Sequence, residues 1–172
     1  VSAASPTDER EAMVRLSLPI LKEHDLDISE QALTKGVSRL IPFRNEWIGP
    51  WLLDGAHNAP ALKALLSTFP YKPIQMVLGV GRDKNEEALV EIAKHVGACH
   101  IWPTKHERLM PPETLKANLQ ALGVQAYTYK SSRQCLIAAY KASNYQGGVV
   151  AGSYYILSEV KAHLMRAVSP PH

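Results

Sequence analysis

Cysteine is scarce: Cys99 and Cys135 are the only two in 172 residues. They form no Cys-x-x-Cys pair, which excludes a zinc ribbon and a thioredoxin-type redox motif. Both stand among apolar residues and are expected to be small buried hydrophobes in a reducing, cytoplasmic compartment. No run of 18 apolar residues exists, so no membrane span is expected. Residues 1–5 lack a basic flank and an apolar core, so they do not read as a secretory signal. A start at Val rather than Met is what a fragment or a processed product would show. Basic residues are neither numerous nor clustered: 19 Lys and Arg stand against 16 Asp and Glu, for a net charge of +3. Nucleic-acid binding is therefore not expected, whereas anionic small molecules suit such a surface. No two of the 7 histidines have the spacing of a zinc-binding helix. No nucleophile-elbow sequence is present. No Gly-rich loop ends in Gly-Lys-Ser/Thr, so the chain cannot cradle nucleotide phosphates in that way.

What is present is an ordinary globular balance, with 46% hydrophobic and 20% charged residues. A chain of this length buries roughly 70% of the surface its unfolded form exposes. Ser5-Pro6-Thr7-Asp8 predicts a helix start, with a capping Ser, a first-turn Pro and an acid. Met13, Leu16 and Ile20 recur at helical spacing, and Pro19 is expected to kink or end that helix. A second short helix should open at Ser29-Glu30-Gln31 and close near Gly36. Residues 1–40 thus read as a helical lead-in, and 41–172 as the main domain. Pro42 makes the next stretch irregular, and Trp47-Ile48-Gly49-Pro50-Trp51 predicts a tight hairpin. Strands are then expected at 51–54, 74–80, 98–102, 124–129 and 148–151. Helices are expected at 60–69, 85–96, 111–123, 132–142 and 153–165, followed by a frayed tail at 168–172. On the helix at 85–96, Ala88, Leu89, Ile92, Ala93 and Val96 share one face. This alternation predicts βαβ units with right-handed connections: an α/β fold of three layers around a mainly parallel, Rossmann-like sheet.

Three strand ends carry the chemistry. The first is Trp51-Leu52-Leu53-Asp54-Gly55-Ala56-His57-Asn58-Ala59-Pro60, an apolar run, an acid, a polar turn and a Pro suited to a first helical turn. Ligands of open α/β sheets sit at the carboxyl ends of strands, which puts Asp54, His57 and Asn58 on the binding edge. The second is Gly79-Val80-Gly81-Arg82-Asp83-Lys84, a close turn with a charged cluster. It reads equally as a strand-to-helix turn with solvated charges. The third is Gly152-Ser153-Tyr154, a hydroxyl and free backbone N–H groups at a helix start, where a carboxylate or phosphate can be held. A simple helix-capping serine is the alternative. Among His24, His57, His95, His100, His106, His163 and His172, only His57 has polar company at a strand end. Lys105-His106-Glu107-Arg108 reads as a solvated loop.

Together the three motifs resemble the carboxy-terminal domain of folylpolyglutamate synthase and the bifunctional dihydrofolate synthase, in the Mur ligase superfamily. Asp54-Gly55-Ala56-His57-Asn58 is similar to that family's Asp-x-Ala-His-Asn stretch. Residues 79–84 are similar to its Gly-x-x-x-Asp-Lys turn, and Gly152-Ser153-Tyr154 to its Gly-Ser-aromatic step. The order agrees, and the resemblance covers residues 40–165. It implies a Mur-ligase-type C-terminal domain, with residues 1–40 as a linker from a central domain missing here. It also implies a cytoplasmic, ATP- and Mg2+-dependent ligase that joins L-glutamate to a folate or dihydropteroate through an acyl phosphate. ATP and Mg2+ would be bound mainly by the central domain, so this chain alone is expected to be inactive and to hold no metal. By position, Arg44 in Ile41-Pro42-Phe43-Arg44 and Asp54 would contact the nucleotide, an Arg fork being suited to phosphate. His57, as the catalytic group, would also help position the glutamate with Asn58 and Ser153. Phe43 stands where the family has a glycine, and Pro60 one place later than the family proline. Two other readings are a stand-alone binding module for a small anion or nucleotide, and a regulatory domain with a vestigial cleft. Neither a nucleic acid nor a membrane is expected as a partner.

Overall fold

The structure is a computed structural model and describes residues 6–38, 41–82 and 86–168. Three sequence expectations therefore lie outside the described residues: the cap at Ser5, the Asp83-Lys84 half of the second motif, and the tail at 169–172. The chain divides into two compact units, Val1–Pro42 and Phe43–His172.

The first unit contains α1 (Pro6–Glu23) and α2 (Glu30–Ser38). Pro19 lies inside α1, so of the expected kink or end the helix shows no end there. Ser29 caps α2 by accepting the Ala32 N–H at 3.2 Å. The helix ends at Ser38, near Gly36 as expected. An exposed bidentate pair joins Arg15 of α1 to Glu30 of α2, at 3.0 and 3.1 Å.

The second unit contains β1 (Glu46–Ile48), β2 (Trp51–Asp54), α3 (Ala59–Thr68), β3 (Ile74–Gly79), α4 (Glu86–His95) and β4 (Val96–Ile101). It continues with α5 (Pro112–Ala121), β5 (Gln125–Tyr127), α6 (Ser132–Ala142), β6 (Gly148–Gly152) and α7 (Tyr154–Val168). Its strands form one sheet in the order β1-β2-β6-β3-β4-β5. β1 is the antiparallel edge, folded onto β2 by the predicted hairpin. The other strands run parallel. The mainly parallel, three-layer α/β sheet is thus as expected.

The apolar runs explain why the sheet is covered on both faces. β2, β3 and β6 are buried at every position, and successive side chains of a strand point to opposite faces. Met76, Leu78, Val149 and Ala151 join a core with Leu62, Leu66, Leu89, Ile92, Leu115 and Leu119 from α3, α4 and α5. Their sequence neighbours Val77 and Val150 join a second core with Cys135 and Ala139 of α6 and Ile156, Leu157 and Val160 of α7. Each fully buried Val, Leu, Ile or Met side chain among them contributes roughly 1.5–3 kcal/mol. Both cysteines are buried and free. Burial pushes both thiols up to about 12, so they stay protonated and unreactive at neutral pH.

The helix assignments locate the crevice. α4 follows β3 and packs in the first core, whereas α7 follows the neighbouring β6 and packs in the second. The chain therefore leaves two adjacent strands toward opposite faces, and such a switch point opens a cleft at the carboxyl edge.

One polar cluster has its histidine and glutamine buried in the second unit and its tyrosine half-buried. His100 is 2% exposed and Gln75 5%. The ring Nε2 lies 2.9 Å from the Gln75 Oε1 and Nδ1 lies 2.7 Å from the Tyr129 hydroxyl. An amide oxygen accepts only, so the ring proton sits on Nε2 and Tyr129 donates to Nδ1. Burial lowers the His100 pKa to about 4 and raises that of Tyr129 to about 12. The unfolded histidine takes its proton near 6.5, the folded one near 4. Between those values the unfolded chain binds more protons, so this group's contribution to stability is lost as pH falls through the window. Denaturant midpoints measured from pH 7 to pH 4 should decline, and the decline should be shallower in His100→Gln.

Candidate functional site

The carboxyl edge at the switch point holds a cavity of about 310 Å³, lined in part by His57, Gly81, Gly152 and Ser153. These residues follow β2, β3 and β6, which lie side by side. Two of the residues singled out from the sequence, His57 and Ser153, are thus brought to one cavity although far apart in the chain.

β6 ends in Gly152 at φ 112, a left-handed conformation that side chains rarely adopt. A Cβ there would overlap the Gly79 carbonyl oxygen. The close approach lets the Ser153 N–H donate to that same oxygen at 2.8 Å. Ser153 sits just ahead of α7 and its Oγ accepts the Tyr155 N–H at 3.3 Å. The capping reading of this serine is therefore met, and because the cap uses only the oxygen as acceptor, the hydroxyl proton is still available to the cavity.

His57 is exposed, and its Nδ1 lies 2.8 Å from the Gly55 carbonyl oxygen. A carbonyl only accepts, so Nδ1 carries a proton. The neutral ring then presents Nε2 as an acceptor, and the protonated ring presents it as a donor. An amine or a carboxylate can each be met by one of these forms.

Asp54 does different work. It is 6% exposed, and its Oδ1 accepts the Ala56 N–H at 2.7 Å while Oδ2 accepts the Asn45 N–H at 2.8 Å. The carboxylate thus ties the turn before β1 to the end of β2. Asn58 is the N-cap of α3, its Oδ1 accepting the Ala61 N–H at 3.0 Å. Arg44 is exposed on the turn that Asp54 anchors. Arg44, Asp54 and Asn58 do not line the cavity.

The turn bearing Arg44 has a non-glycine at its tightest point. Phe43 has φ 59 and Asn45 φ 48, each costing of order 1–3 kcal/mol when the side chain is not glycine. Phe43 is the residue that stands where the resembled family has glycine. Several contacts hold it there. Its N–H donates to Glu46 at 3.1 Å and its carbonyl accepts the Gly55 N–H at 2.7 Å. Its ring meets the cavity-lining Tyr154 edge-on at 5.8 Å. Lys161 of α7 lies 5.4 Å above the same ring and pairs with Glu46. Burial alone would raise the Glu46 pKa, but Lys161 and the Phe43 N–H outweigh it and hold the carboxyl below its ordinary range.

The loop at 105–108 is not merely solvated, contrary to expectation. Arg108 lines the cavity beside Tyr155, and the His106 ring stacks over Tyr155 with centroids 3.8 Å apart. The signal for Arg108 was positional. It follows β4, the next parallel strand, so its loop reaches the same edge. Among the described residues, no group of three or more His, Cys, Asp or Glu is arranged to hold a metal. No helix among them is long and apolar enough to cross a membrane.

No protein-family model matches the sequence, and no curated protein matches it. Solved structures do match in fold. E. coli FolC in complex with DHPP and ADP is 23% identical, with a TM-score of 0.70, over 89% of this chain and 38% of that one. A bifunctional folylpolyglutamate synthase/dihydrofolate synthase with Mn, AMPPNP and L-glutamate bound is 22% identical at TM-score 0.70, over 87% and 38%. The folylpolyglutamate synthase of Mycobacterium tuberculosis, complexed with ADP and AMPPCP, is 19% identical at TM-score 0.68, over 88% and 38%. The chain spans about two fifths of the length of these enzymes. Over nearly all of its own length, then, it has the fold of part of a folylpolyglutamate synthase, the enzyme that its strand-end motifs resemble.

Proposed function

We propose that this chain is the glutamate-positioning domain of an ATP-dependent amide-forming ligase of the folylpolyglutamate or dihydrofolate synthase kind. The observation that carries the reading is the meeting of His57 and Ser153 at the switch-point cavity. The likeness in fold to enzymes that include one with L-glutamate bound supports it.

In this reading residues 1–40 link the domain to a catalytic domain of the same protein. That domain binds ATP and the divalent cation, Mg2+, and phosphorylates the carboxylate of a folate or dihydropteroate. The sequence has no phosphate-cradling loop of its own, which supports that division of labour. On this chain, Ser153 donates its hydroxyl to a carboxylate of L-glutamate. His57 Nε2 takes the proton that the amino group loses as its nitrogen attacks the acyl carbon and the phosphate departs. Arg44 is free to swing to the nucleotide from its exposed turn. Asp54 acts mainly by fixing that turn, and Asn58 by starting α3 so that His57 faces the cavity.

The experiment is expression of the chain with the reading frame that precedes Val1. That frame should encode a Gly-rich loop ending in Gly-Lys-Ser/Thr. The longer protein should release ADP on addition of L-glutamate and the acceptor, whereas the 172-residue chain should not. Tight, saturable nucleotide binding by the chain alone would favour the stand-alone module instead.

A further inference from the structure

We propose that Arg108 binds a second carboxylate in the switch-point cavity and thereby restricts the site to dicarboxylic amino acids. The proposal rests on the glutamate reading above and adds a residue that neither the motifs nor the resemblance supplies.

The first argument is that the backbone around Arg108 is pinned. Gly81 and Leu109 form an isolated antiparallel bridge. The Arg82 N–H donates to the Arg108 carbonyl at 3.1 Å, and the Met110 N–H to the Val80 carbonyl at 2.9 Å. Arg82 Nε donates to the Leu109 carbonyl at 3.1 Å. Leu109, the next residue, is 2% exposed and packs in the second core. A loop that would otherwise wander is zipped to the end of β3, next to the cavity. Rigid placement of this kind lowers the entropy a binding group loses on engaging its ligand.

The second argument concerns the guanidinium. One of its terminal nitrogens lies 3.4 Å from the Tyr155 hydroxyl. Tyr155 is itself held by the stacked His106 ring, whose Nδ1 accepts the Arg108 N–H at 3.2 Å. Among the described residues no acid pairs with Arg108. A guanidinium has five N–H donors in a fork that matches a carboxylate, and here that fork is exposed and lines the same cavity as Ser153 and His57. Ser153 and His57 suffice for one carboxylate and the amine. A further cation with no acid of its own among the described residues calls for a second negative group on the ligand.

The test is a heteronuclear NMR titration of the 172-residue chain, following the Gly81, Gly152 and Ser153 amides. L-glutamate is compared with L-glutamine, which has the same shape without the distal charge. L-glutamate should bind the unaltered chain roughly 10- to 100-fold more tightly than L-glutamine, the range expected for a hydrogen-bonded charge pair. Arg108→Gln should bring L-glutamate down to the affinity of L-glutamine and leave L-glutamine unchanged, and Arg108→Lys should restore part of the difference. A variant that merely loosened the loop would weaken both ligands together. Equal binding of the two ligands by the unaltered chain, or equal loss of both in Arg108→Gln, overturns the role of Arg108 while leaving the glutamate site standing. If L-glutamate shifts none of the three amides, the glutamate reading fails and this proposal with it.

Discussion

Replacing His57 with alanine in the proposed longer ligase is expected to lower glutamate-dependent turnover roughly 10²- to 10³-fold, the usual loss when one hydrogen bond at a reacting centre is removed. The expectation follows from where the ring stands. It is exposed at the cavity, and its Nδ1 proton is committed to the Gly55 carbonyl. Nε2 is thereby left pointing outward as the acceptor for an amine proton. Because the ring is exposed, its removal should barely change stability, so a fall in rate with an unchanged melting temperature isolates its chemical role. Ser153→Ala should act differently. It removes a hydroxyl donor from the cavity, and it also removes a cap, which costs about 1 kcal/mol of stability. Its signature is a raised KM for L-glutamate together with a slightly lower melting temperature. If His57→Ala turned over at the unaltered rate, the assignment of the site would fail.

Gly152→Val should be the most damaging single change to the folded domain. A side chain at φ 112 is strained in itself, and its Cβ would also overlap the Gly79 carbonyl oxygen. That oxygen accepts the Ser153 N–H, so β6 cannot move aside without breaking the bond that orients the start of α7. The clash lies between two backbones, so no side-chain rotation relieves it. We expect a destabilisation of about 3 kcal/mol or more, seen as a fall in melting temperature of roughly 6–12 °C. The variant should also lose binding at the cavity, since Gly152 lines it. A melting temperature within about 2 °C of the unaltered chain would contradict this account of the strand end.

The fold was legible because its strands are buried on both faces and so read as unbroken apolar runs. Residues 51–54, 74–79 and 148–152 are such runs, bounded by glycines and polar turns. The β4 boundary was missed because Val96 and Gly97 read as a helix end, and Val96 in fact opens the strand. Within the site, His57 and Ser153 were legible because each follows an apolar run directly, where the chain must emerge at the carboxyl edge. The anchoring by Asp54 and Asn58 was not legible, since an Asp or Asn at a strand end looks alike whether it serves a ligand or its own backbone. For Arg108 the sequence offered only its position after β4, for a related reason. Its position depends on an antiparallel bridge between Gly81 and Leu109, a pairing distant in sequence that leaves no local periodicity.

The central claim is that this chain brings L-glutamate to an acyl phosphate made elsewhere in the protein. The most direct measurement is the rate of ADP release by the longer protein as L-glutamate is raised at fixed ATP and folate or dihydropteroate. The account predicts a saturating rise with L-glutamate and no release from the 172-residue chain under the same conditions. ADP release that is independent of L-glutamate, or that proceeds equally with residues 43–172 deleted, would contradict it.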